Sequence, residues 1–129
     1  MNENFDYIAY DGKHFAIEWY FDNDYGSQAL NYYQSLSDGE RIKVLKLFKR
    51  MGDAGEIKDK TKFVNEGNKI YAFKPQPDRF LCFFYEKQKI IVTNAFKKKQ
   101  QKLPKKEKEK AMKIRDCYIT RTKTGEYYE

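Results

Sequence analysis

Residues 69–96 read KIYAFKPQPDRFLCFFYEKQKIIVTNAF, three apolar runs separated by Pro75-Gln76-Pro77-Asp78 and by Glu86-Lys87-Gln88. The runs, at 69–74, 79–85 and 89–96, are rich in aromatic and β-branched residues and have the length of strands. Connections this short cannot carry a crossover, so the spacing predicts an antiparallel meander. Beyond it, Lys97-Lys98-Lys99-Gln100-Gln101-Lys102-Leu103 leads to Pro104. A proline there suits the first turn of a helix, which the pattern carries to about Tyr118 with Ala111, Ile114 and Tyr118 inward.

Upstream, residues 53–68 are rich in Lys, Glu and Gly and are expected to form a loop. Before them, Ser37-Asp38-Gly39-Glu40 is a capping-box pattern opening a helix. Its apolar stripe is Val44, Leu45, Leu47, Phe48 and Met51, and Gly52 is its expected end. A shorter helix precedes it, from Asp24 or Ser27 to Leu36, with Ala29, Leu30, Tyr33 and Leu36 on one side. The two are expected to make an antiparallel hairpin. At the start of the chain, runs at 5–10 and 13–21 flank Asp11-Gly12, a two-residue hairpin signal. The order is therefore ββααβββα. It describes one α+β domain over residues 1–129, a small antiparallel sheet packed on a two-helix hairpin with a C-terminal helix.

A chain of 129 residues with ten Phe and eleven Tyr can bury a core despite 35% charged residues. No apolar run approaches a membrane span and the first residues lack a signal-peptide profile, so a cytoplasmic protein is expected. Cys82 and Cys117 are expected as buried free thiols, and no spacing of His and Cys suggests a metal site. The single His14 is placed in a strand. No cofactor is expected.

The net charge of +7 is unevenly placed. Residues 1–40 have one base against eight acids, whereas residues 97–113 have nine lysines against Glu107 and Glu109. A concentrated cationic patch implies an anionic partner. Lys74 and Arg79 flank a four-residue hairpin loop and should face each other, which is unfavourable for two cations. Either Asp78 or Glu86 neutralises Arg79, or the pair holds a phosphate through the arginine fork. Lys105, Lys106, Lys108 and Lys110 crowd the first turns of the last helix, where positive charge is also unfavourable. They are either a solvated face or, with Lys97, Lys98, Lys99 and Lys102, the rim of an anion site at the free N–H groups. Lys58, Lys60 and Lys62 alternate near Glu56 and Asp59, and an extended segment would place the three on one side.

The order and motifs resemble the RelE/HigB/ParE superfamily of type II toxin–antitoxin toxins, in particular its phage-derived HigB-like branch. The residues carrying the resemblance are Phe73-Lys74, where the family has Leu-Arg; Asp78-Arg79, where it has Tyr-Arg; the run Phe96 to Pro104; and Glu107 with Ala111. The match covers about residues 13–118. Lys74 keeps the family's charge but loses the bidentate fork, and Lys108 stands where some members place an aromatic.

The resemblance implies a fold similar to microbial ribonucleases. It also implies metal-independent endoribonuclease cleavage of messenger RNA on the ribosome, with the 2′-hydroxyl attacking the adjacent phosphorus. Carried onto this chain, it assigns Arg79, assisted by Lys74, to the phosphoryl oxygens. Crowding suggests Lys98 or Lys99 for proton transfer. Lys58, Lys60, Lys62, Lys97, Lys102 and Lys105 remain for RNA binding. A cognate antitoxin, commonly a helix-turn-helix protein, is the implied protein partner. A ParE-like gyrase inhibitor and a non-catalytic nucleic-acid-binding module are the alternatives.

Overall fold

The computed structural model describes residues 7–24, 26–100 and 102–128; the start of the expected 5–10 strand lies outside them. The meander forms as β4 (Ile70–Phe73), β5 (Asp78–Tyr85) and β6 (Lys89–Lys97), with Phe73 opposite Phe80 and Arg79 opposite Phe96. A further strand, β3 (Phe63–Gly67), precedes it and pairs with β4, where a loop was expected over 53–68. The turn between them is Asn68-Lys69, both at positive φ (55° and 66°). That is the geometry of a two-residue hairpin turn, but lysine replaces the glycine that usually advertises it. As the sheet's edge, β3 also tolerates the polar Asn65 and Glu66 that hid it.

Two further strands, β1 (Ile8–Asp11) and β2 (Ala16–Trp19), complete a six-stranded sheet of order β1-β2-β6-β5-β4-β3. β2 runs parallel to β6, with Ile17 opposite Ile90 and Trp19 opposite Val92, so the sheet is mixed rather than wholly antiparallel. This pairing joins residues some seventy positions apart, and no turn chemistry announces it. The β1–β2 connection is also longer than two residues, because Asp11 pairs with Ala16. His14 therefore sits in the turn, its Nδ1 2.7 Å from the Asp53 carbonyl.

Among the described residues three helices flank the sheet: α1 (Gln28–Ser35), α2 (Asp38–Ala54) and α3 (Lys105–Lys123). Ser27 Oγ accepts the Leu30 N–H to cap α1, and Ser37 with Glu40 forms both bonds of the expected capping box on α2. α2 passes through Gly52 and ends at Gly55, whose φ of 85° closes it. Gly52 has another use. Its carbonyl accepts the N–H groups of His14 and Phe15, and the backbone of Gly12 lies so close that an added Cβ would be 2.3 Å from the Gly52 carbonyl carbon.

Val44, Leu47, Phe48 and Met51 of α2 pack with Ile17, Trp19, Phe73 and Phe80 in one core. Leu45 is turned out, 37% exposed, and does not join that stripe. Gln28 of α1 binds both backbone groups of Ala95, fixing α1 over β6. On the opposite face, Ala111 and Tyr118 of α3 cover Ile70, Ala72, Leu81, Phe83 and Ile91. Burial on both faces explains why β5 is apolar from Phe80 to Phe84 rather than alternating. α3 continues five residues past Tyr118, and Tyr127 folds back into this second core. Cys82 is a buried free thiol as expected, but Cys117 lies on the outer side of α3 and is exposed.

Candidate functional site

Alternation along β5 sends Asp78 and Arg79 to opposite faces. Asp78 points under α1, where the Tyr32 hydroxyl donates to its Oδ1 at 2.5 Å. Burial and this bonded carboxylate push the Tyr32 phenol well above its usual range. Arg79 points beneath the start of α3 and is 5% exposed. Its Nη1 donates to Gln76 Oε1 (3.1 Å) and to the Asp78 carbonyl (2.9 Å). Among the described residues no carboxylate comes within ion-pair distance of it. Neither Asp78 nor Glu86 neutralises the guanidinium. Among the described residues both of its hydrogen bonds leave from Nη1, and none engages Nε or Nη2, which can serve a ligand.

Lys74 follows β4, on the face that Ile70 and Ala72 share. Its ammonium donates to the Lys60 carbonyl at 3.1 Å and its N–H to the Lys62 carbonyl at 2.8 Å. Burial, then Arg79, then Lys98 hold its pKa below the ordinary lysine value. The Lys98 N–H donates to the Pro77 carbonyl, tying the end of β6 to the turn beside Arg79. Lys74, Arg79, Lys98 and Lys102 line a cleft of about 310 Å³ walled by Val64, Phe96 and Leu103. A more open part of about 540 Å³ adds Lys99 and Gln100 to Lys74, Arg79 and Lys98. Pro104 gives α3 no side-chain cap; its carbonyl accepts the Glu107 and Lys108 N–H groups, and those of Lys105 and Lys106 are left for an anion among the described residues. Asn94 Nδ2 donates to Glu107 Oε1 at 3.0 Å and seats that turn on β6.

The cleft gathers Lys74, Arg79, Lys98, Lys99 and Lys102 from the sequence-predicted set. The others lie elsewhere. Lys97 faces the opposite side of β6, where it acts on Glu40 of α2. Lys105 opens α3, exposed, and lines neither part of the cleft. Lys58 and Lys60 border a separate hollow of about 290 Å³ beside Phe63 and Tyr71, and Lys62 borders another, so the three are not aligned. Lys58 is also paired with Glu56 at 3.9 Å.

Three residues of the site are not legible in the sequence reading. Glu66 lines the cleft and raises the pKa of both Arg79 and Lys74 against the lowering by burial. Once β3 is recognised, its two-residue spacing from Val64 places it there. Gln76 holds the Arg79 fork, and Tyr32 donates to the Asp78 carboxylate on the other face of β5. No local pattern announces the last two. Among the described residues, no three His, Cys, Asp or Glu side chains gather in a way that would hold a metal ion.

A mixed sheet between two helices on one face and a C-terminal helix on the other is a small RelE-like α+β fold. Residues 31–116 match the family described as phage derived protein Gp49-like (DUF891), and the chain belongs to that family. It is a family associated with type II toxin–antitoxin toxins of RelE/HigB-like type, which implies a cognate antitoxin as partner. The matched span runs from α1 into α3 and contains every residue of the cationic cleft. No curated protein matches the chain. Among the described residues, no helix is long and apolar enough to cross a membrane.

Proposed function

We propose that this protein is the toxin of a type II toxin–antitoxin pair and cleaves messenger RNA on the ribosome. The observation that carries this reading is Arg79, a buried guanidinium with no carboxylate at ion-pair distance among the described residues, beside Lys74 and Lys98 in one cleft. Burying a cation costs free energy unless an anion compensates it, and a scissile phosphate supplies that anion. In the reaction the 2′-oxygen bonds to the adjacent phosphorus and the bond to the 5′-oxygen breaks. Negative charge gathers on the phosphoryl oxygens, where Arg79 donates through Nε and Nη2.

Lys74 is the assigned base. Its lowered pKa leaves more neutral amine to take the 2′ proton. Lys98, across the cleft, protonates the 5′-oxygen as an ammonium. Lys99 and Lys102 bind flanking phosphates. An antitoxin with acidic residues, in this reading a helix-turn-helix protein, would silence the toxin by covering the cleft.

Primer extension on cellular messenger RNA after brief induction tests this. Wild type should produce discrete new 5′ ends inside translated regions, and Arg79→Ala should produce none while retaining a folded far-UV spectrum. Growth arrest with intact messages would overturn the nuclease reading in favour of a gyrase-type target.

A further inference from the structure

A second cationic surface lies on α2, beside its apolar stripe. Lys43, Lys46 and Arg50 fall within one narrow arc of the helix, at spacings of three and four. With Lys62 and Lys74 they line a groove of about 400 Å³ whose floor is Leu47 and Pro75. Cations on the other sides of α2 are neutralised: Arg41 by Asp38 and Lys49 by Asp53. Among the described residues those of the groove have no such partner. Asp59 feels Arg50 and Lys62, but one of its carboxylate oxygens accepts the N–H and hydroxyl of Thr61. An ordinary solvated helix would not sort its charges by face in this way.

The groove is continuous with the cleft, because Lys74 lines both. We propose that it is an extended subsite for single-stranded RNA, holding nucleotides that flank the scissile phosphate. Lys43, Lys46 and Arg50 neutralise successive backbone phosphates, and the Leu47–Pro75 floor receives a base. Lys74 is the point where the strand passes from one surface to the other. This inference rests on the nuclease reading for the identity of the strand.

The test uses fully 2′-O-methylated oligouridylates, a short one that fits the cleft alone and a long one that reaches the groove. Blocking the attacking oxygen lets binding be followed by fluorescence anisotropy without cleavage. Wild type should bind the long probe more tightly than the short one. The double variant Lys43→Ala/Arg50→Ala should lose about tenfold or more on the long probe and nothing on the short one. Its log–log salt dependence on the long probe should fall by roughly 1.4, at about 0.7 per lost contact with a single strand. Lys43→Arg should behave as wild type. Equal affinity and salt slope for the double variant, or no gain with length in wild type, would overturn the subsite; either result would fit a groove that serves a protein partner. The nuclease reading fails separately, if Arg79→Ala leaves RNA cleavage intact.

Discussion

Asp78 and Arg79 are neighbours in sequence and are buried on opposite faces of one strand, 2% and 5% exposed. Tyr32 holds the Asp78 carboxylate on the α1 side of β5, while Arg79 lies on the α3 side. Tyr32→Phe should therefore leave a buried carboxylate without its donor. The expected loss is about 1–3 kcal/mol of stability, measured by urea unfolding. An unchanged midpoint would show that Asp78 finds another donor. Lys74 supplies a prediction in pH. Its pKa lies below 10.5, so the neutral amine accumulates as pH rises. The single-turnover rate should climb with pH through that pKa, and Lys74→Met should lack the inflection. Glu66 opposes the depression, so Glu66→Gln should lower the Lys74 pKa further and move the inflection to lower pH. A shift upward would contradict the placement of Glu66.

Packed elements explain why parts of the fold were legible and others were not. The β4–β6 meander and the capping box on α2 were readable because each is encoded within a few adjacent residues. β3 was not, since Asn65, Glu66 and the Asn68-Lys69 turn carry no apolar alternation and no glycine at the turn. The parallel β2–β6 pairing was also hidden, because it depends on the whole intervening chain. Gly52 was read as a helix end, yet it is an interior residue whose lack of a side chain admits the β1–β2 turn. Gly12→Ala should accordingly force the turn off α2 and cost about 1–3 kcal/mol, the range for overpacking a tight contact. Thermal unfolding measures this, and a variant as stable as wild type would refute the close approach. Of the cleft, the lysines and Arg79 were visible as charge at telling positions. Glu66, Gln76 and Tyr32 were not, because each acts through tertiary placement.

The molecule as a whole sorts its charge. Acids outnumber lysine and arginine eight to one in the first forty residues, and a cluster of cations without an ion pair among the described residues borders the cleft below α3 and the groove along α2. In the proposed reaction the cleft cuts RNA by attack of the substrate's own 2′-hydroxyl, with Arg79 stabilising the transition state. The most direct measurement is mass spectrometry of the ends produced by the purified protein from ribosome-bound messenger RNA. The expected products are a 2′,3′-cyclic phosphate and a 5′-hydroxyl, with no cut where the attacking 2′-oxygen is methylated and a rate about 10²–10³ lower for Arg79→Ala. A 5′-phosphate end, or undiminished cleavage by Arg79→Ala, would contradict it.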